Sequence, residues 1–238
     1  MIKLKKIINC LQNPKFYKSY FHGVAPLFEL SPLVKKISKA KTLIDVGSNK
    51  GQFCLLTRKF FPDIEIHSFE PQIEELNIQK KILGSNNINY YNFALGSEEK
   101  ILNLYITERK DSSSLLKPIE TNSKKYLAKE IRKISVKILD KLPGLNNIER
   151  PSILKLDVQG FELEVLKGSN EMLNFIDYII TEVSFVEIYE NQVMENKLVD
   201  FIQSKLFKLE TKCNLSKIGK KFFQEDILFI KKIKMQKN

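Results

Sequence analysis

Thr42-Leu43-Ile44-Asp45-Val46-Gly47-Ser48-Asn49-Lys50-Gly51 is the stretch that decides how this chain folds. Thr42–Val46 is a short apolar run of strand length, and the glycines behind it break the run into a tight turn. Phe53, Leu56 and Phe60 then recur at helical spacing over residues 52–61, so the turn leads from a strand into a helix. A strand, a glycine turn and a helix in that order open a nucleotide-binding unit. Gly47 and Gly51 are expected to remove side chains where a ligand approaches the backbone. Asp45 adds a charge: a carboxylate here would repel a pyrophosphate and attract the ammonium of an amino-acid-bearing nucleoside.

Working outward, strands and helices alternate. Ile64–Phe69 reads as a second strand, a helix runs from Ile73 to a stop at Gly84, and Ile88–Phe93 is a third strand. This βαβαβ run is half of a nucleotide-binding fold. From Gly96 to Leu139 the pattern loosens. Leu102, Leu104 and Ile106 alternate as a strand, either added to the core or forming a hairpin arm, and residues 109–124 read as a polar, serine-rich loop. Beyond the Pro143-Gly144 turn the alternation resumes. Ile153–Leu156 is a fourth core strand, and a helix over 161–167 ends at Gly168. Ile179, Ile180 and Val183 make a fifth strand, and Met194, Leu198, Phe201 and Ile202 mark an amphipathic helix. Phe207, Leu209, Thr211 and Cys213 alternate as a sixth strand, and Ile227–Ile230 is a seventh, buried one. The expected fold is α/β, with a central, mostly parallel seven-stranded sheet and helices on both faces.

Residues 1–40 read as a helical extension of the domain formed by residues 41–238. Leu4, Ile7, Ile8 and Leu11 share one helical face, stopped at Asn13-Pro14. A second short helix begins at Ser31-Pro32, with Ser31 as its cap and Leu33, Val34 and Ile37 as its buried face. The expected role is a cap packed on the main domain; the alternative is a weak contact of the N-terminal helix with a membrane surface.

At 238 residues, with 43 % hydrophobic and 28 % charged residues, the chain suits one sizeable core and excludes a disordered chain. No apolar run approaches the roughly 20 residues of a membrane span, and Met1–Lys6 opens no clean secretory signal, so a cytoplasmic location is expected. Cys10, Cys54 and Cys213 are far apart and there are only two histidines, so no metal site is expected. The net charge of +11 invites a nucleic-acid partner. The lysines are spread along the whole chain without an aromatic–basic motif, so none is expected.

Glu70 ends the second strand, near the spacing of about 20 residues at which an acid meets a ribose, and Pro71 follows it. The alternative is an exposed acid capping the next helix. With Asp45, Gly47, Asn49 and Gly51 it outlines a site for S-adenosylmethionine. Asn92, Phe93 and Ala94 border the expected adenine edge, although Phe93 reads equally well as core. Asp157 ends the fourth strand and faces the crevice where open α/β sheets bind ligands. It is the first candidate for orienting or deprotonating a substrate hydroxyl, and Glu182 on the fifth strand is the second. Ser112, Ser113 and Ser114 are expected in a solvated loop, with an acceptor pocket as the lesser role.

These blocks resemble the FkbM-type methyltransferase family over residues 42–231. The resemblance rests on Ile44–Gly51, Phe69-Glu70-Pro71, Asn92–Gly96, Leu139-Asp140, Leu154–Gly168, Thr181-Glu182 and Gln224–Phe229. It implies a class I methyltransferase, Rossmann-like fold and methyl transfer to oxygen on a sugar, a glycan or a related natural product. By position, Asp45, Gly47 and Gly51 would hold the methionine end of S-adenosylmethionine, Glu70 the ribose, and Asp157 would sit near the transferred methyl. Gln159 stands where the family commonly has an acid, and Ile73 where it often has a second proline.

Three rivals make different demands. A short-chain dehydrogenase needs a GxGxxG turn and a Tyr-x-x-x-Lys pair; the turn is absent, and Tyr126 is followed by Glu130 at the lysine position. A nucleic-acid amino methyltransferase needs an Asn/Asp-Pro-Pro-aromatic signature where Asp157-Val158-Gln159-Gly160 stands. A non-enzymatic scaffold on the same fold would have no need to keep Asp45, Glu70 and Asp157 together.

Overall fold

A computed structural model describes residues 16–119, 126–145, 147–218 and 221–232. The expected helix through Leu4–Leu11 and its stop at Asn13-Pro14 lie outside the described residues. Two short helices come first, α1 (Tyr17–Phe21) and α2 (Ser31–Val34). Then β1 (Thr42–Val46), α3 (Gln52–Phe60), β2 (Glu65–Phe69), α4 (Ile73–Leu83) and β3 (Ile88–Tyr91) form the expected βαβαβ half. β4 (Ala94–Leu95), β5 (Lys100–Thr107) and β6 (Ala128–Lys137) follow. The second half is β7 (Ser152–Leu156), α5 (Glu162–Lys167), β8 (Tyr178–Ser184), α6 (Glu195–Ser204) and β9 (Phe207–Cys213). A small hairpin, β10 (Lys217–Ile218) and β11 (Lys221–Phe222), leads into β12 (Gln224–Lys231).

The main sheet has seven strands in the order β3-β2-β1-β7-β8-β12-β9. Strands β3 to β8 run parallel, and β12 is antiparallel to both of its neighbours. All five residues of β1 and of β7 are buried, as expected of central strands covered on both faces. Neighbouring residues point into opposite layers. Ile44 and Leu154 pack with Val165, Leu166, Leu198 and Ile202 of α5 and α6, whereas Leu43 and Ile153 pack with Phe53, Leu56, Ile82 and Leu83 of α3 and α4. The chain starts in mid-sheet, builds outward to β3, and returns to the other side of β1 with β7. A crevice opens at the carboxyl ends of the strands where that order reverses.

The described part of the N-terminal extension has no core of its own. Phe16, Val24, Leu33, Val34 and Ile37 are buried in the layer that holds Leu43 and Phe53. Ser31 is not the cap of α2 but its first residue. Leu30 holds the cap position, because a 3-10 turn over Phe28–Leu30 runs straight into the helix. The third strand also ends earlier than expected, at Tyr91 instead of Phe93. Residues 92–93 cross out of the main sheet so that β4 can pair with β6 in a second, three-stranded sheet. The alternating Leu102, Leu104 and Ile106 thus belong to a hairpin arm, β5 with β6, lying outside the main sheet.

Candidate functional site

Gly47 has φ +76, and a Cβ there would fall 2.0 Å from the backbone oxygen of Asp157. The turn after β1 therefore rests directly on the turn after β7, and only glycine allows it. Asn49 also adopts a left-handed conformation, with φ +48, which asparagine tolerates. Gly51 departs from expectation. It begins α3 with φ +79, does not line the crevice, and a Cβ there would meet Gln79 Cγ at 2.7 Å and Leu83 Cδ1 at 2.8 Å. Its smallness serves the packing of α3 on α4 and not the approach of a ligand.

Glu70 lies beyond the end of β2, buried, on the wall of the crevice. One carboxylate oxygen accepts the N–H of Asn49 and the other that of Gln72, both at 2.8 Å. Burial pushes its pKa up to about 7, against the opposing pull of those two N–H groups. Pro71, Phe93 and Ala94 line the same wall, and Phe93 packs edge-on to Phe69 at 5.8 Å. Asn92 is exposed and off the wall. Its amide donates to the backbone oxygens of Glu70 (2.9 Å) and Pro71 (3.0 Å), pinning the turn that carries the acid.

Asp45 was expected to meet a ligand ammonium, and the structure places it elsewhere. It is fully buried beneath the turn and does not line the crevice. The Cys54 thiol donates to Oδ2 at 3.1 Å, and Oδ1 has no hydrogen-bond partner. Burial raises its pKa, opposed by the charge of Lys155, its register partner on β7. Asp45 lies one residue short of the end of a central strand and points into the protein layer, so its counter-charge is internal.

Across the crevice, Asp157 follows β7. Its Oδ2 lies 3.0 Å from Lys155 Nζ, and its Oδ1 accepts the Gln159 amide at 2.8 Å. Burial alone would lower the pKa of Lys155; Asp157 and Asp45 outweigh it and hold the ammonium charged. Glu182 on β8 also faces the crevice, and the Gln224 amide donates to it. Burial raises its pKa well above the usual range, reinforced by Asp157, Asp226 and Glu162. Asp226 stands opposite Glu182 on β12 and accepts the Asn214 amide at 2.8 Å; burial pushes it up to about 7.

Ser112 and Ser114, expected in a solvated loop, are buried, and with Ser113 they line the crevice. The Ser114 hydroxyl donates to the backbone oxygen of Gln159 at 2.7 Å, and the Tyr189 hydroxyl donates to that of Ser112 at 2.6 Å. The first bond ties the 110–114 segment to the turn after β7, and the second ties it to Tyr189 beyond β8. Sequence reasoning assigns no site role to Glu29 and Asn214, and Lys155, Glu162, Gln224 and Asp226 enter it only as members of the blocks that carry the family resemblance. Glu162 accepts the N–H groups of Val158 and Gly160, both at 3.1 Å, and so shapes the turn that presents Asp157. Lys155 had a usable signal: a charged residue inside an apolar central strand is almost never buried unless paired. Asn214 had none, since it sits in a polar connection, and Glu29 is a single acid in a short apolar turn with no motif around it.

Both walls enclose one crevice of about 240 Å³. A mostly parallel seven-stranded sheet with one antiparallel strand next to its edge, and an acid after β2 facing the switch point, define the class I methyltransferase fold. The chain belongs to the FkbM methyltransferase family: the Methyltransferase FkbM domain matches residues 45–209. The methyl donor of this family is S-adenosylmethionine. The chain is 27 % identical over 158 residues to Methyltransferase 1 of Beauveria bassiana, covering 59 % of this chain and 64 % of that protein. It is 25 % identical over 156 residues to the hexuronic acid methyltransferase AglP of Haloferax volcanii, covering 63 % and 59 %. The match thus spans less than two thirds of the length of these relatives. Among solved structures, magnesium protoporphyrin IX methyltransferase from Synechocystis PCC 6803 superposes with a TM-score of 0.49 at 8 % identity, covering 85 % of this chain and 78 % of that one.

Proposed function

We propose that this chain transfers the methyl group of S-adenosylmethionine to a hydroxyl oxygen of a sugar, a glycan or a related natural product. The observation that carries the reading is Asp157, a carboxylate beyond the end of β7 that faces the same crevice as Glu70. S-adenosylmethionine, when bound, supplies a methyl group on a cationic sulfur that an oxygen can attack.

The donor set suits that cofactor. Each Glu70 oxygen takes one N–H and keeps acceptor capacity for ribose hydroxyls. Gly47, Asn49, Pro71, Phe93 and Ala94 bound the same wall. Asp45, with its unpartnered Oδ1, contributes negative potential from below, while Gly51 and Asn92 hold the turns in place. Asp157, aimed by its contact with Lys155, orients the acceptor hydroxyl and accepts its proton. Glu182, the second carboxyl group facing the acceptor, assists by hydrogen bonding to the hydroxyl. In this reading residues 41–238 are the methyltransferase domain, and residues 1–40 are a cap that adds Leu27, Glu29 and Leu30 to the crevice wall. The hexuronic acid named for the Haloferax relative supports a sugar ring as acceptor.

Calorimetry with S-adenosylmethionine and NADH, followed by transfer of labelled methyl to an acceptor panel, tests the proposal. Asp157→Asn is expected to keep cofactor affinity and to lose turnover by about 10²–10⁴-fold, the range for a proton-handling group. Binding of NADH instead of S-adenosylmethionine, or wild-type turnover by Asp157→Asn, sinks the reading.

A further inference from the structure

The acceptor side of the crevice pairs acids with amides in a repeated way. Asp157 is bonded by Gln159, Glu182 by Gln224 and Asp226 by Asn214, and all six side chains line one cavity. Two of the acids, Glu182 and Asp226, are cross-strand neighbours on β8 and β12, and their amides come from the segment around the β10–β11 hairpin.

A carboxylate bonded once still accepts, and a primary amide bonded once still has a second N–H to donate. Each pair therefore offers acceptor and donor capacity side by side. A hydroxyl group, which both donates and accepts, can use the two together. A ligand carboxylate could use only the amide donors and would meet the acids with no cation among the six side chains. A ligand ammonium could use only the acceptors and would leave the amide N–H groups unmet.

The charge balance points the same way. Among the described residues, six carboxyl groups, Glu29, Glu70, Asp111, Asp157, Glu182 and Asp226, line the crevice with three cations, Arg109, Lys110 and Lys155, although the chain as a whole carries a net charge of +11. Each of these cations already has an acid partner among the described residues: Asp111, Glu75 and Asp157 respectively.

We infer that the acceptor is an uncharged polyhydroxylated ring, held by the Glu182–Gln224 and Asp226–Asn214 pairs, and that uronic acids are disfavoured. This rests on the methyltransferase reading above and narrows it by charge.

The test uses the full chain. Saturation-transfer NMR with the protein loaded with S-adenosylhomocysteine compares methyl hexopyranosides with the matching uronates and 2-amino sugars. Labelled methyl transfer to the same panel gives kcat/KM. A neutral ring is expected to bind and to be methylated with kcat/KM at least tenfold above its uronate and amine counterparts. Asp226→Asn removes an acid and Gln224→Lys adds a cation. Each is expected to narrow the neutral-to-uronate ratio by about tenfold with S-adenosylmethionine affinity kept within twofold. A uronate or amine that equals or exceeds the neutral ring, a panel with no neutral ring bound or methylated, or variants that leave the ratio unchanged would each overturn the inference. Failure of the wild type to bind S-adenosylmethionine by calorimetry would instead overturn the methyltransferase reading itself.

Discussion

On the β1–β3 side of the crevice a single carboxylate, Glu70, is held by two backbone N–H groups; on the β7–β12 side three carboxylates are held by three side-chain amides. The first side draws on residues 47–94, and the second on residues 155–226 with Glu29 from the extension. A backbone-built wall tolerates side-chain change and recognises a constant ligand. A wall of side chains can be retuned residue by residue, which suits the partner that varies within a family. The two sides meet where the turns after β1 and β7 touch, at Gly47 and the backbone oxygen of Asp157.

The sharpest way to break that division is at the point of contact. Gly47→Ala places a Cβ 2.0 Å from a backbone oxygen in a left-handed conformation, so both walls must shift. A loss above about 3 kcal/mol of stability is expected, read by urea unfolding, together with loss of cofactor binding. An unaffected variant would mean that the walls are not mechanically joined.

Lys155→Met comes next. It leaves Asp157 and Asp45 without their shared cation and is expected to cost about 3–5 kcal/mol, as for other broken buried pairs. A smaller loss, with turnover retained, would show that the Gln159 amide alone holds Asp157.

Glu70→Gln probes the backbone-built side by itself. An amide cannot accept from both Asn49 and Gln72 and keep room for two hydroxyls, so S-adenosylmethionine affinity is expected to fall roughly 10–100-fold. Acceptor preference should stay as in the wild type. A changed preference would erase the separation of the two sides.

The smallest effect is on pH dependence. Burial raises Glu70 and Glu162 from 4.5 to about 7, and Asp226 from 3.8 to about 7. The folded chain therefore holds protons that the unfolded chain releases at lower pH. The stability these groups contribute is fully present below about pH 4 and is lost as pH rises through about 7. His67, lowered from 6.5, acts in the opposite sense, while Glu74 and Glu164, lowered from 4.5, act only below that value. The net expectation is a ligand-free thermal midpoint several degrees higher at pH 5.5 than at pH 8, with a shallower slope in Glu162→Gln. A midpoint that climbs across that interval would show that the buried acids are not protonated where expected.

Most of the fold was legible in the sequence because its central strands are apolar on both faces and its helices repeat at helical spacing. Thr42–Val46 and Phe207–Cys213 are strands as read, and the strand read over Ile64–Phe69 starts one residue later, at Glu65. The errors fall where the chain changes layer. Asn92-Phe93 looks like a continuation of β3 by pattern, yet it leaves for the second sheet. Ser31 looks like a cap, yet a preceding 3-10 turn takes that position. Neither depends on the residue alone; each depends on where the next partner lies.

By itself, then, the sequence determined the βαβαβ half, the acid after β2 and the turn after β1, because these are made from neighbours in the chain and from backbone groups every residue carries. The tertiary structure decided that Asp45 and Gly51 face protein, that Asn92 braces a turn, and that Ser112 and Ser114 are buried. It also decided that Glu29, Lys155, Asn214, Gln224 and Asp226 share one cavity. Only the order of strands in the sheet brings such distant residues together, and strand order is set by packing over the whole core, which no short stretch of sequence records.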